Sequence, residues 1–388
     1  MISSTVIPLA IYIHWPFCLS KCPYCDFNSH VRERIEQDAW REGLLRELKH
    51  YAALLPDRLI TSIFFGGGTP SLMPTATVAA LIRAVRDQWA TTDDCEITLE
   101  ANPTSVEAEN FAALREAGVN RVSLGIQSLQ DEALRFLGRQ HSAGQALAAL
   151  QLAAQTFPRF SFDLIYARAG QTSEAWATEL KTALSYARGH LSLYQLTIEE
   201  NTQFHTRAGR GEHLASDSES AAALYEQTQI LMQAAGLPAY EISNHAAAGQ
   251  ESRHNLAYWH YDDYIGIGAG AHGRYVDSKG VRTATVGKKV PEAWLQQVRQ
   301  QEHGLVESST IDAATARREA LMMGLRLTTG IDRAGWLAKF GQDVSIDLAP
   351  ERIARLNDEG LLQCTATHFV ATAAGRTRLN ALLRYLLG

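Results

Sequence analysis

The sequence predicts an α/β fold: a parallel sheet built from six strand–helix units, followed by a small helical, winged-helix-like C-terminal domain. Three observations predict it. Short β-prone runs alternate with helical patterns through the first two-thirds of the chain, the pattern of a parallel sheet with helices packed outside. Runs such as Ile63-Phe64-Phe65 are continuously apolar, as strands buried on both faces should be. From about Pro291 the pattern turns to helices and closes on a candidate hairpin. Period alone leaves a partial barrel and an open doubly wound sheet equally open.

The elements follow in order. Ile11-Tyr12-Ile13-His14 reads as the first strand, and Trp40, Leu44, Leu48 and Tyr51 lie at helical spacing within a helix over 32–55. Ser62-Ile63-Phe64-Phe65 is the second strand, stopped by Gly66-Gly67-Gly68, with a helix over 75–89 behind it. Glu96–Leu99 is the third strand, and the helix over 106–117 is closed by Gly118, a residue suited to a left-handed stop. Arg121–Leu124, Phe160–Ile165 and Leu191–Leu196 complete the strands, with helices to about Gln155, over 172–187 and over 216–235. Tyr240–Ser243 follows; 245–253 reads as a loop, and Gly266, Gly268, Gly270 and Gly273 mark an irregular, tightly turning stretch. Helices are expected over 292–301, 313–325, 334–340 and 350–359, then a hairpin of Leu361–Gln363 with Phe369–Ala371. The expected division is 1–235, 236–290 as a connecting segment, and 291–388.

Composition excludes several functions. The 388 residues are 46% hydrophobic, enough for a sizeable core, and carry a net charge of −6 with scattered aromatic and basic residues. No global field favours nucleic acid or an acidic membrane. No stretch approaches the roughly 18 apolar residues of a membrane span, which leaves only peripheral membrane contact. Met1-Ile2-Ser3-Ser4-Thr5 does not begin a secretory leader. Cytoplasmic residence with reduced thiols is therefore expected for the five cysteines. Cys95 and Cys364 stand alone and read as small packed residues.

Cys18, Cys22 and Cys25 fall within eight residues, just after the first strand. Thiolates suit iron–sulfur clusters and zinc alike. Three thiolates on a cubane leave one iron open; a zinc site would need His14 or His30 as a fourth ligand. Zinc sites more often use two separated C-x2-C pairs, and no second pair exists here.

The run Tyr12-Ile13-His14-Trp15-Pro16-Phe17-Cys18, continued by Cys22-Pro23-Tyr24-Cys25, resembles the radical S-adenosylmethionine (SAM) superfamily, and Gly66-Gly67-Gly68-Thr69-Pro70 resembles its glycine-rich SAM loop. Glycines there let backbone approach a ligand closely. Glu100-Ala101-Asn102-Pro103, Ser123–Ser128, Gly138-Arg139-Gln140-His141 and Phe162–Tyr166, in that order, resemble the anaerobic coproporphyrinogen III oxidase family over nearly the whole chain. The resemblance implies a partial (β/α)6 radical SAM barrel, a [4Fe–4S] cluster on Cys18, Cys22 and Cys25, and SAM. It implies SAM contacts at Tyr12, Tyr24, Gly67, Gly68, Thr69, Glu100, Gln127, Arg139, Asp163 and Thr197. Gly67, Glu100, Gln127 and Thr197 lie at or just past C-terminal ends of predicted strands, the edge where α/β folds bind ligands.

Within that family, the decarboxylases carry a further cysteine two residues after the third cluster cysteine and a long N-terminal extension. Here Phe27 holds that place, and 17 residues precede Cys18. The cysteine loop and Arg253-His254-Asn255-Leu256-Ala257-Tyr258-Trp259 resemble instead a heme-chaperone branch of the family. That implies heme binding and delivery to respiratory acceptor proteins, without decarboxylation. His254 would then be a candidate heme ligand, with Tyr258 and Trp259 on the macrocycle and Arg253 at a propionate. Oxygen-independent oxidation of coproporphyrinogen III is the enzyme alternative, and a zinc-stabilised binding module the weaker one. Two turns depart from the family: Ala167-Arg168-Ala169 replaces Gly-Leu-Pro, and Ile198–Thr202 lacks Pro-Gly.

Overall fold

A computed structural model describes residues 7–388; the leader reading of Met1–Thr5 lies outside the described residues. The six expected strands all form, the first five longer than expected and the sixth shifted by one residue: β1 (Ile7–Trp15), β2 (Arg58–Gly67), β3 (Ala90–Ala101), β4 (Arg121–Gln127), β5 (Arg159–Tyr166) and β6 (His190–Gln195). Five more join them: β7 (Asn244–Ala246), β8 (Tyr264–Ile267), β9 (His272–Val276), β10 (Arg282–Gly287) and β11 (Leu305–Thr310). The spatial order is β11-β10-β9-β8-β1-β2-β3-β4-β5-β6-β7 in one eleven-stranded sheet. Strands β8 and β1 to β6 are parallel, and the outer strands antiparallel. The two edges are not paired, so the barrel is partial and the sheet mixed.

Helices pack on the outer face: α1 (Gln37–Leu54), α2 (Thr75–Gln88), α3 (Phe111–Glu116), α4 (Ala143–Thr156), α5 (Ser173–Tyr186) and α6 (Ser218–Ala234). Their starts are fixed chemically. Ser142 and Gln145 form a reciprocal capping box on α4, and Thr172 and Asp217 cap α5 and α6. The strand period of two sets which side chains meet the helices. In β1, Leu9, Ile11, Ile13 and Trp15 are buried in the main core, while Tyr12 and His14 face the concave side.

The glycine-rich stretch is where the sequence reading falls short. It forms β8, a turn and β9 rather than irregular chain. Strand propensity is low there because the backbones pass close together: a Cβ on Gly266 would lie 2.2 Å from the His272 carbonyl oxygen. Helix α7 (Arg253–Trp259) follows the expected loop, and α8 (Pro291–Gln301) packs on α1, with Trp294 stacked on Trp40 at 4.8 Å. The segment expected to connect two domains thus extends the first, and α8, expected in the C-terminal unit, belongs to the main core. The second core is built from α9 (Ala313–Gly324), α10 (Arg333–Phe340), α11 (Pro350–Asp358), a three-stranded sheet of β12 (Ile331–Asp332), β13 (Leu362–Cys364) and β14 (His368–Ala371), and α12 (Leu379–Leu387).

Glu47 ties the added strands to the barrel. Its carboxylate, 1% exposed, accepts from Gly268 N at 2.8 Å, Gly304 N at 2.6 Å and Trp294 Nε1 at 3.1 Å. Burial raises its pKa to about 7 against those donors. Glu47→Ala leaves three buried donors unpaired and is expected to lower the unfolding free energy by about 3 kcal/mol in urea titration. Glu292→Ala, which breaks the exposed Arg32–Glu292 pair, is expected to change it by less than about 1 kcal/mol.

Candidate cluster and SAM site

The concave face opens at the C-terminal ends of the parallel strands into a cleft of about 420 Å3. Cys18, Cys22 and Cys25 line it together with Tyr24, Gly67, Gly68, Thr69, Glu100, Gln127, Arg139, Asp163 and Thr197. Residues scattered over some 180 positions of sequence meet because most of them lie in the C-terminal halves of the strands of one sheet or in the loops that follow.

The cysteine loop is short and closed at its base. Phe17 and Cys18 pair in parallel with His30 and Val31, and Cys25 N donates to Cys22 O at 3.1 Å. Each sulfur has its own polar neighbour: Thr69 Oγ1 donates to Cys18 at 3.4 Å, Arg139 Nη1 to Cys22 at 3.4 Å, and the Ser29 hydroxyl lies 4.0 Å from Cys25. Such contacts stabilise thiolate ligands and tune a cluster. Burial raises the Cys18 and Cys25 thiols above their ordinary pKa, so metal binding must expel their protons.

The donor set fits a cubane. Three thiolates on a cubane bind three different irons, so their sulfurs need not crowd one point. Among the described residues no three His, Cys, Asp or Glu side chains converge as ligands of a single ion. His14 and His30, the zinc alternative's fourth ligands, are both held by Asn28: His14 Nε2 lies 2.9 Å from its carbonyl oxygen, and His30 Nε2 3.1 Å from Oδ1.

The glycine loop is cut to fit. Gly68 N donates to Trp15 O at 2.7 Å, and Thr69 N to Phe17 O at 2.8 Å. A Cβ on Gly68 would meet Phe17 O at 2.6 Å, and Gly67 takes φ +115°. Gly67 N donates in turn to Glu100 Oε2 at 3.2 Å. Gln127 closes β4 at φ +69°, next to a register shift against β5. A non-glycine residue held there is strained. Arg139 donates to Asn102 Oδ1 and to Gly125 O at 2.8 Å, while its buried Nε has no protein partner. The guanidinium thus keeps a donor for an incoming group.

Glu100 feels the charge of Asp163. Burial, then Asp163, raises Glu100 to about 8. Burial raises Asp163 to about 6, while hydrogen bonding from Ser192 and the charge of Arg121 oppose it. The two are poised to take up or release protons with a charged ligand.

Each of the two departing turns contains a left-handed residue. Ala167 takes φ +58° and Asn201 φ +63°. Asn tolerates this region best among non-glycine residues; Ala167 adopts it at some strain.

Two expected residues lie elsewhere. Tyr12 lines a neighbouring compartment and bonds His14 Nδ1 at 3.0 Å. His254, on α7, is 1% exposed, with Nδ1 2.9 Å from Ser62 Oγ and Nε2 2.9 Å from Tyr258 OH. Burial lowers its pKa to about 3. Both ring nitrogens of His254 are thus engaged by neighbouring hydroxyls, and its ring supports Tyr258. Arg253 pairs with Asp94, toward the N-terminal end of β3, and Trp259 packs under Arg326 at 4.9 Å. Sequence reasoning missed Asn28, Asn102 and Ser29, polar residues with no motif signal of their own; Asn28 and Asn102 find partners distant in sequence.

Residues 12–183 match the radical SAM superfamily, and residues 311–377 the HemN C-terminal domain. The structure of Escherichia coli coproporphyrinogen III oxidase (HemN) superposes with a TM-score of 0.82 over 98% of this chain and 90% of that one, at 22% identity. Fold and site therefore define a radical SAM protein of the HemN architecture. Escherichia coli heme chaperone HemW is 37% identical over 98% of each chain, and the bovine mitochondrial radical S-adenosyl methionine domain-containing protein 1 is 38% identical over 97% of this chain and 87% of its own. The chain belongs to the HemW family of radical SAM proteins.

SAM carries a sulfonium cation, and a cation beside Glu100 favours its ionised form. A sulfonium bound there would release a proton wherever free Glu100 is protonated, so affinity is expected to rise with pH up to about 8, by at most about tenfold per pH unit. Equilibrium dialysis of cluster-loaded protein between pH 6 and 8 should show this rise, and Glu100→Gln should flatten it.

Proposed function

We propose that this chain carries heme and hands it to acceptor proteins, respiratory ones among them, with a [4Fe–4S] cluster and exchangeable SAM beside the cargo. Cys18, Cys22 and Cys25 would hold the cluster. Its open iron would supply a site for the amino and carboxylate groups of SAM, and one-electron chemistry. Gly67 and Gly68 would admit the ligand against backbone, Arg139 would meet its carboxylate, and Glu100 and Asp163 its hydroxyl or charged groups.

One observation carries the choice of carrier over oxidase. Phe27, 58% exposed, stands two residues after Cys25, where decarboxylating members carry a further cysteine. Phenylalanine offers no thiol for that reaction but does offer apolar surface. The relatives named heme chaperone HemW support the same reading. All five cysteines are unpaired, and no helix among the described residues is long and apolar enough to cross a membrane. A cytoplasmic, reducing location belongs to this proposal; some relatives are named as mitochondrial.

Reduced, cluster-loaded protein given SAM and coproporphyrinogen III without oxygen should yield no protoporphyrinogen IX, while heme titration should saturate. Turnover of the porphyrinogen would replace the carrier by an oxidase.

A further inference from the structure

A second compartment of about 400 Å3 adjoins the cleft and shares Phe27, Gly67 and Glu100 with it. Its floor is aromatic: Tyr12, Tyr258 and Tyr264, the last two edge to face at 4.5 Å. Its rim carries His272, the first residue of β9, and Lys289, two residues past β10, both exposed. The size suits a small-molecule ligand, for which pockets run from roughly 300 to 1,000 Å3.

Three imidazoles lie in or behind this compartment, and hydrogen bonding separates them. His14 is 5% exposed, with its nitrogens engaged by Tyr12 OH and Asn28 O. His254 is sealed behind Tyr258 as described. His272 has no hydrogen bond to its ring and faces the opening. Partial burial, then the charges of Arg274 and Lys289, lower its pKa, which keeps the imidazole in the neutral form that ligates iron. The Lys289 ammonium has no carboxylate partner among the ion pairs of the described residues, so it is available to an anion.

The compartment is fastened to the cysteine loop. Asn28 Nδ2 donates to Ala269 O at 2.8 Å and to Lys289 O at 3.0 Å. It therefore grips both the β8–β9 turn that precedes His272 and the segment that carries Lys289. A Cβ on Gly270 would lie 2.3 Å from that same Nδ2, so the turn is closed tightly around it.

We propose that heme docks in this compartment with the His272 imidazole on its iron, its face on the tyrosine floor and Phe27, and a propionate at Lys289. The assignment rests on the carrier reading and adds the place and the ligand. A porphyrin has the flat apolar faces, the metal and the peripheral carboxylates that these groups recognise.

The test is ferric heme titration of the full-length, cluster-loaded protein, read as heme difference absorbance and electron paramagnetic resonance. His272→Ala should weaken binding by at least about tenfold and remove the histidine-ligated signature, and added imidazole should restore that signature. Lys289→Ala should weaken binding several-fold with the ligation spectrum intact. His254→Ala should weaken binding through Tyr258, again with the spectrum of the bound fraction unchanged. His272 and Lys289 are exposed, so circular dichroism of their variants should match the parent. A wild-type Soret position, resonance signature and affinity in His272→Ala would overturn this site while leaving the carrier reading standing. Failure of the parent protein to bind heme would overturn both.

Discussion

The structure depends on one constraint: three thiolates within eight residues must be presented at a fixed spacing, on a loop that has no secondary structure of its own between Cys18 and His30 beyond turns. The protein meets it by fastening the loop from outside. The pairing of Phe17 and Cys18 with His30 and Val31 closes its base, Thr69 and Arg139 reach two of the sulfurs, and Asn28 bonds to His14, His30 and the β8–β9 turn. These contacts come from β1, β2, the segment after β4 and the added strands. The loop is therefore as well placed as the sheet is rigid, which is what a preorganised metal site requires.

The same fastening joins two compartments. Gly67, Glu100 and Phe27 form a shared wall, with the cysteines on one side and the tyrosine floor on the other. Asn28 connects the cluster loop to the turn before His272 by direct hydrogen bonds. A change in the loop on cluster loading thus has a short physical route to the second compartment. Glu47, gripping Gly268 and Gly304 from α1, holds the same turn from the opposite side. The added strands are consequently structural partners of the site and not an appendage.

Much of this was legible in the sequence because it rests on local signals. The apolar runs of β1 to β6 announced parallel strands, and the cysteine spacing announced a soft-metal loop. The strand-end motifs placed the cleft, since the C-terminal ends of parallel strands share one edge. What was not legible rests on distant contacts. Strands β8 and β9 were hidden because glycines that permit close backbone passage also erase strand propensity. Asn28 looked like one more polar loop residue; its partners lie some 240 and 260 positions away. His254 invited a ligand role by its neighbours in sequence, while its contacts to Ser62 and Tyr258 come from the fold. An exposed histidine in an unassigned strand carried no pattern at all.

The most direct test of the account is electron paramagnetic resonance of anaerobically reconstituted, reduced protein, with and without SAM. The account predicts a [4Fe–4S]+ signal that shifts when SAM is added and disappears when Cys18, Cys22 and Cys25 are together replaced by alanine. A signal indifferent to SAM, or one that survives the loss of the three thiols, would contradict it.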